Sequence, residues 1–416
     1  MTVILPEGWD RAELGAIVTL RSGGTPSRAT ANFWNGEIPW ISAKDLKSFD
    51  LKDSIEHLTA IGAEELNVVP AGTILILVRG MGLFKDFPVG VTSRAMAFNQ
   101  DVKALHPISG VNARFLAHTL VAMRSAVMGR VDRAGHGTGR LATDHLIALP
   151  VILAPVPEQQ RIVAVLDAWD QAINQTGCLI AAKQRRKAAL FQKLFENLPK
   201  RPLLEAADVW FSGVDKKTRA GEAAVRLCNY MDVFHNSRIT SKLDFMHATA
   251  SPHQIAVNSL HKHDVVFTKD SETSEEIAQP ALIAEDIDNL VCGYHLAIAR
   301  PREGVGHGPF IAQAMRHPAI RWQFSRLANG VVRFGLTLEA IEQAEIFLPS
   351  IDAQKRIAAI LDVEDMMIED LAARAELYRT QKLGLMQKLL TGTWRLDERF
   401  EPNALMTSNV LPGGTA

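Results

Sequence analysis

The chain has 416 residues, 47% hydrophobic and 22% charged, with three cysteines and a formal net charge of −1. That length holds two or three domains with real cores, and the sparse, odd set of cysteines excludes a disulfide framework and fits a reducing, cytoplasmic setting. The near-zero charge excludes a uniformly basic surface, although a nucleic-acid binder needs only a local basic face.

No basic start with a long apolar run opens the chain, so no secretory signal is expected. Residues 1–156 read as a first block of mixed α and β character. Trp9, Leu14, Ile17 and Val18 begin a strand-like segment, and Ser22 to Ser27 is a turn by composition. Ile38 to Leu46 reads as a short strand running into a polar loop. Ile74 to Val78, the longest aliphatic run, suits a buried strand rather than a membrane span. Val102 to Leu105 is a further strand, and Val111 to Met128 has the spacing of an amphipathic helix. A glycine-spaced loop, His136 to Arg140, follows.

Residues 157–197 predict one long helix, residues 198–350 a second block, residues 351–392 a second long helix, and residues 393–416 a tail without fixed structure. In the second block Val225 to Tyr230, Asp264 to Thr268 and Cys292 to Ala299 read as strands, and Phe310 to Leu327 as a helix. Its opening echoes the first block faintly: Leu14, Ala16, Ser22 and Gly23 return as Leu204, Ala206, Ser212 and Gly213. Beyond that point the two blocks diverge in sequence.

The helices do not diverge. Pro157-Glu-Gln-Gln-Arg-Ile162 returns 195 residues later as Asp352-Ala-Gln-Lys-Arg-Ile357. Without a gap, Lys187 recurs as Lys382, Leu194 as Leu389 and Asn197 as Gly392, a pair suited to the left-handed turn that closes a helix. Pro157 suits a helix start, and Asp352 is a candidate N-cap. Ile162, Leu166, Trp169, Ile173 and Ile180 in the first copy fall at coiled-coil spacing, as do Ile357, Leu361, Ile368, Leu371 and Tyr378 in the second. Each helix would be about 60 Å long. Both are acidic early (Asp167, Asp170; Asp362, Glu364, Asp365) and basic late (Lys183, Arg185, Arg186, Lys187; Arg379, Lys382, Lys388). Antiparallel pairing therefore sets acidic halves against basic halves. The expected fold class is α+β: two mixed α/β blocks separated by two long antiparallel coiled-coil helices, with a pseudo-two-fold repeat.

Motifs of catalysis are missing. There is no phosphate loop, no Gly-x-Ser-x-Gly elbow and no Asp/Asn-Pro-Pro-aromatic motif of an amino-methyltransferase. The thirteen histidines do not organise. Cys292 and His295 fall within one predicted apolar strand, with Cys228 far away, and a zinc site needs four ligands, so no metal is expected. What remains is a set of basic and polar loop residues. In the first block these are Ser22, Thr25, Lys44, Arg79, Lys85, Arg94, Arg130, Arg133 and Arg140. In the second they are Lys216, Lys217, Arg219, Asn229, Lys269, Ser271 and Arg333. Arg and Lys suit phosphates or guanine edges, and Asn, Ser and Thr can read or position. For any one of them, a solvated surface charge is the commoner reading.

At this point the motifs match a family. Ser22-Gly-Gly-Thr-Pro-Ser27, Gly36-Glu-Ile-Pro-Trp-Ile-Ser-Ala-Lys-Asp-Leu46, Arg79-Gly80, Asn99-Gln100 and Pro155-Val-Pro-Glu-Gln-Gln-Arg-Ile162 are joined by four stretches of the second block. Those are Ser212 to Lys217, Val225 to Tyr230, Thr268 to Thr273 and Cys292 to Leu296; Gln387 to Trp394 closes the second helix. Over nearly its whole length the chain resembles the specificity subunit of type I restriction–modification systems. His263, where that family has glycine, and Val332, where it has threonine, depart from the pattern.

The resemblance implies two target recognition domains that read a bipartite, asymmetric site on double-stranded DNA. It implies that the helices set the gap and dock methyltransferase subunits, two in number, through Gln159, Arg161, Trp169, Lys187, Gln354, Arg356, Tyr378 and Lys382. It also implies that the chain is not an enzyme and binds no cofactor. S-adenosylmethionine would sit in the methyltransferase subunits, and ATP and Mg in partner subunits that include the restriction/translocase subunit. No membrane partner is implied. The rival expectation is a coiled-coil scaffold that bridges two protein-binding domains without DNA.

Overall fold

The computed structural model describes residues 5–133 and 137–396. The tail beyond residue 396, expected to lack fixed structure, and His136 of the glycine-spaced loop lie outside the described residues. The chain forms two compact units, Met1–Gly177 with Ala373–Ala416, and Cys178–Ala372. Each unit is therefore one block plus half of each long helix.

The first unit is built on a five-stranded sheet from β1 (Val18–Ser22), β2 (Asp50–Leu51), β3 (Ile74–Leu77), β4 (Val89–Thr92) and β5 (Val102–Pro107). Their spatial order is β1-β5-β3-β4-β2. All neighbours are antiparallel except β4 and β2. Every residue of β3 is buried, as a central strand covered on both faces requires. Helix α1 (Ala113–Ala122) packs Leu116 and Leu120 into the same core. It starts at Asn112, whose side chain accepts from the Arg114 and Phe115 N–H groups. The amphipathic helix expected to run to Met128 breaks at Met123 and resumes as a short helix, Arg124–Met128. The segment from Trp9 also differs from expectation: a single helical turn, Leu14–Ile17, separates strand Asp10–Glu13 from β1.

The second unit repeats this topology. β6 (Ala207–Phe211), β7 (Arg238–Ile239), β8 (Val265–Thr268), β9 (Pro280–Ile283) and β10 (Leu296–Pro301) lie in the order β6-β10-β8-β9-β7. Again only the last pair is parallel. The accessory sheets match as well. Trp34–Ile41 pairs antiparallel with Glu56–Leu58 and parallel with Ala97–Phe98. Ala223–Cys228 pairs in the same two senses with Met246–Ala250 and Leu290–Cys292. The blocks that diverge in sequence are thus one fold twice.

Two expectations for the second block are corrected. The strand predicted from Cys292 to Ala299 is two strands, because the chain passes from the accessory sheet into β10 through Gly293-Tyr294-His295. A Cβ on Gly293 would stand 2.9 Å from the Cys228 carbonyl oxygen. The helix predicted from Phe310 to Leu327 is α3 (Gly308–Met315) and a second helix, Pro318–Leu327. Pro318 has no N–H and suits a new start.

The long helices are α2 (Val156–Phe195) and α4 (Ile351–Leu389). Asp352 falls inside the first turn of α4, so it is not the cap; Ser350 holds that place and its carbonyl accepts from the Gln354 N–H at 2.9 Å. Asn197 and Gly392 take φ of 58° and 73°, the left-handed closures expected of them. The departure at His263 also has a structural counterpart. His263 has φ 76°, the region that favours glycine, and Gly72, ahead of β3 in the first block, has φ 83°.

Pairing of the helices is antiparallel and repeats itself. In the first unit Lys382 pairs with Asp170 at 2.6 Å. In the second Lys187 pairs with Asp365, the residues 195 positions from Lys382 and Asp170 respectively. The apolar positions near the helix ends also serve the blocks. Ile162 and Leu166 share a core with Phe115, Met386 and Leu389, while Ile357 and Leu361 share one with Phe195 and Phe310.

Candidate nucleic-acid interface

Three of the first block's candidate arginines come together on one small sheet. Strand Arg79–Gly80 pairs with Gly139–Arg140, which pairs with Asp132–Arg133. Arg79 and Arg140 stand directly opposite each other, and Arg133 is opposite Gly139. All three side chains are exposed. Lys85, also exposed, ends the 3-10 turn Met81–Phe84 that leaves the Arg79 strand.

The remaining candidates of this block lie elsewhere. Ser22 Oγ accepts from Lys103 Nζ at 3.1 Å, and Thr25 Oγ1 donates to Gln100 Oε1 at 2.6 Å. A Cβ on Gly23 between them would stand 2.1 Å from the Phe98 carbonyl oxygen, so glycine lets this turn lie against the Ala97–Phe98 strand. Lys44 is exposed, while Arg94 donates to the Glu37 carbonyl at 3.0 Å. Arg130 donates to the carbonyls of His145 and Ala148 and so braces its own block.

The second block forms the equivalent hairpin from Asp270–Ser271 and Phe334–Gly335. Where the first block sets Arg79 opposite Arg140, this block sets Asp270 opposite Gly335. A cleft of about 410 Å³ beside it brings Lys216, Ser271 and Arg333 together with Tyr230, Phe234 and His295. Asp270 accepts from Lys269 Nζ at 2.6 Å and from His295 Nδ1 at 2.8 Å. Ser271 is buried, donates to Glu276 at 2.7 Å and lies 3.2 Å from the Tyr230 hydroxyl. Asn229 caps the helix Tyr230–His235 in a capping box with Asp232. Arg219 turns back on Asp215 at 2.9 Å, leaving Lys216 and Lys217 as the exposed cations of that loop. Of the second block's candidates, therefore, Ser271, Asn229, Lys269 and Arg219 already hold local structure together.

The helix candidates fall into matched sets. Gln159 Oε1 accepts from the Asn112 N–H at 2.7 Å, and its Nε2 donates to the Gly110 and Ala154 carbonyls at 3.1 and 2.8 Å. Gln354 accepts from the His307 N–H at 2.9 Å and donates to the Val305 and Pro349 carbonyls at 2.8 and 2.9 Å. Every partner is shifted by 195. Trp169 meets Tyr378 edge to face, with ring centroids 5.5 Å apart. Arg161 is half-buried and Arg356 exposed.

A charged joint that sequence reading missed ties α1 to α2. Arg114 donates to both Asp167 oxygens at 2.7 and 2.8 Å and to Asp50 at 2.7 Å. His118 Nε2 lies 3.1 Å from Asp167. Burial alone would lower the Arg114 pKa, but bonds to Asp167 and Asp50 carry it above its usual value. Burial pushes the His118 pKa down, which keeps the ring neutral. Burial would raise Asp167, yet His118 and Arg114 hold it below the ordinary carboxylate value. His118, Asp167 and Asp170 have ligand-type atoms within 4.8 Å of one another. Arg114 and Lys382 already supply these carboxylates with the charge a metal ion would bring. In the second unit Gln313, 195 residues after His118, donates to Asp362 at 3.3 Å and Asp365 at 2.8 Å. Applying the helix offset to α1 and α3 would have exposed this pair.

Cys228, expected to lie far from Cys292, is its direct partner on a neighbouring strand. Both thiols are buried, and burial pushes their pKa up, the opposite of what a zinc ligand or nucleophile needs.

Two blocks of one topology, each with a small ladder of two-residue strands of its own chemistry and each packed on halves of the two long helices, define the class of fold. Residues 6–182 match the family model of the type I restriction modification DNA specificity domain. Over 186 residues the chain is 31% identical to the type I restriction enzyme EcoR124I/EcoR124II specificity subunit of Escherichia coli, covering 44% of this chain and 45% of that one. Over 237 residues it is 24% identical to the MjaIX specificity subunit of Methanocaldococcus jannaschii, covering 55% and 53%. The chain thus aligns with about half the length of the curated relatives it matches. Among solved structures, the type I S subunit from M. genitalium aligns with a TM-score of 0.61 at 12% identity, covering 93% of this chain and 98% of that one. A chain from a structure of type I complex assembly aligns at 0.55 and 15% identity, covering 94% and 100%; at such identities the likeness is one of fold. Residues 6–182 thus carry a type I DNA specificity domain, and the chain as a whole is similar in fold to type I specificity subunits.

Proposed function

We propose that this chain is the sequence-specific DNA-recognition subunit of a type I restriction–modification complex. Each block reads one half of a bipartite, asymmetric site on double-stranded DNA, and the paired helices dock methyltransferase subunits. The observation that carries this reading is the shared topology of the blocks combined with unlike residues at one hairpin position, Arg79 and Arg140 against Asp270 and Gly335. A frame built twice, with heads that differ, suits a site whose halves differ. Gln159 and Gln354 are buried in internal bonds and do not dock a partner themselves, but the 195-residue repeat of their contacts makes the helix frame equivalent in the two units, which suits two methyltransferase subunits.

In this reading the chain performs no catalytic step and binds no cofactor. Partner subunits supply S-adenosylmethionine for adenine N6 methylation, and ATP and Mg for the restriction/translocase subunit. The setting is cytoplasmic; no helix among the described residues is long and apolar enough to cross a membrane.

Three measurements test the reading. Binding of the chain with its methyltransferase partner to duplex DNA should weaken steeply with salt, through counterion release. Methylome sequencing of cells with and without the gene should show one bipartite motif that depends on it. Methyl transfer by the chain alone, at a stoichiometry that excludes contamination, would sink the reading. A chain that binds no DNA under any salt condition would leave the protein-bridging scaffold in its place.

A further inference from the structure

We infer that Arg79 and Arg140 read guanine in the half-site that the first block recognises. The inference rests on the DNA-recognition reading above and assigns base chemistry within it. Arg79 and Arg140 are partners on neighbouring antiparallel strands. Residues so opposed share a face with Cβ atoms about 4.5–5.5 Å apart, and like charges there destabilise the pair. Folding therefore does not account for them. Asp132 stands opposite Arg140 on its other side, but its carboxylate lies 3.7 Å from His145. Neither Arg79 nor Arg140 makes an ion pair among the described residues. The third strand adds Arg133, whose guanidinium carbon lies 5.6 Å from the Phe84 ring centroid. A guanidinium carries only donors, so this surface seeks acceptors.

Phosphate oxygens and base edges both offer acceptors, and the apolar neighbours decide between them. Met81 is 74% exposed and Phe84 41%, both in the turn that leaves the Arg79 strand. Such side chains gain nothing beside solvated phosphates. In the major groove, which admits a two-stranded ribbon, they meet thymine methyl groups. Guanine N7 and O6 together match the fork of an arginine. The second block has Asp270, bonded to Lys269 and His295, at the matching position, so the opposed arginine pair is a feature of the first block.

The test is methylome sequencing of cells that carry the partner subunits with Arg79→Lys, Arg79→Gln, Arg140→Lys or Arg140→Gln, alongside salt-titrated binding of the purified complexes. Lysine keeps the charge and loses the fork, so a phosphate contact tolerates it and a guanine contact does not. The lysine variants should lose roughly 5- to 150-fold discrimination at a single G·C pair in one half-site, with every other position unchanged. An unchanged motif, with binding uniformly weaker in the glutamine variants and a salt slope shallower by about one, would make these phosphate contacts and overturn the inference. Relaxation only at an A·T pair would overturn it too. A wild-type complex that methylates no defined site is a separate outcome, and it refutes the DNA-recognition reading itself.

Discussion

Replacing Gln159 by alanine should destabilise the first unit by about 2–4 kcal/mol. The side chain is 1% exposed, so water cannot replace what it bonds. It holds three backbone groups: the Asn112 N–H and the carbonyls of Gly110 and Ala154. A buried group left unpaired costs about 1–3 kcal/mol, and carbonyls with a second lone pair sit at the low end. Asn112 also caps α1, so the loss reaches the helix that carries Arg114 and His118. For a unit of this size, each kcal/mol shifts the melting temperature by about 2–4 °C, so the transition should fall by about 4–16 °C. Calorimetry of the full chain reads this directly. Gln354→Ala should lower the second unit's transition by a similar amount, because its bonds are the same three. Gln159→Glu keeps the shape but offers no donor to the two carbonyls, and should fall at least as far at neutral pH. A shift below about 1 °C in Gln159→Ala, with unchanged hydrogen exchange at the Asn112 amide, would refute the clamp.

Three further outcomes are expected. Glu158 is nearly buried and accepts from Trp9 Nε1 at 3.0 Å and from Arg395 at 3.0 and 2.7 Å. Breaking a buried pair costs about 3–5 kcal/mol, and solvent around the half-exposed Arg395 reduces that to about 1–3 for Arg395→Ala; adding Glu158→Gln should recover part of the loss in thermal melts. The His118 pKa is lowered in the folded state, so its contribution is present above the unfolded value near 6.5 and is lost as pH falls through the folded value. His118→Gln, which copies Gln313, should therefore melt close to wild type at pH 7, and the wild type's margin over it should shrink toward pH 5; a margin that grows on acidification refutes this. Finally, four residues added after both Ile173 and Ile368 lengthen each helix by about 6 Å and leave each unit its own Lys–Asp pair. Methylome sequencing should then show a gap longer by one or two base pairs with the same half-site bases, and an unchanged gap would deny the helices a role in spacing.

Much of the frame was legible before any coordinates. The ungapped repeat from Pro157 to Asn197, its heptad positions and its charge halves led to two long antiparallel helices, and the Lys382–Asp170 and Lys187–Asp365 pairs each join a basic late half to an acidic early half. Even the departure at His263 pointed to a position that favours glycine, and its φ of 76° says why. Element boundaries inside the blocks were harder. Gly293 follows the end of one strand and Pro318 opens a new helix, each within an apolar stretch, and apolar periodicity alone does not register a chain that crosses from one sheet to another.

The candidate site was legible only as a roster. Arg79, Arg133 and Arg140 are three charges among many until a ladder of two-residue strands sets them side by side. Asn229 and Ser271 read equally well as groups for DNA, yet one caps a helix and the other bonds Glu276. A hydroxyl or amide serves either role, and burial and partners decide which. Local sequence determined the helices, because their periodicity and charge are written in consecutive residues and a helix satisfies its own backbone. Tertiary structure alone decided that the two blocks share a fold and that their hairpins differ in polarity. Strand pairing joins residues some 60 apart, Arg79 with Arg140 and Asp270 with Gly335. A backbone ladder leaves the identity of those residues free to vary while the topology stays the same.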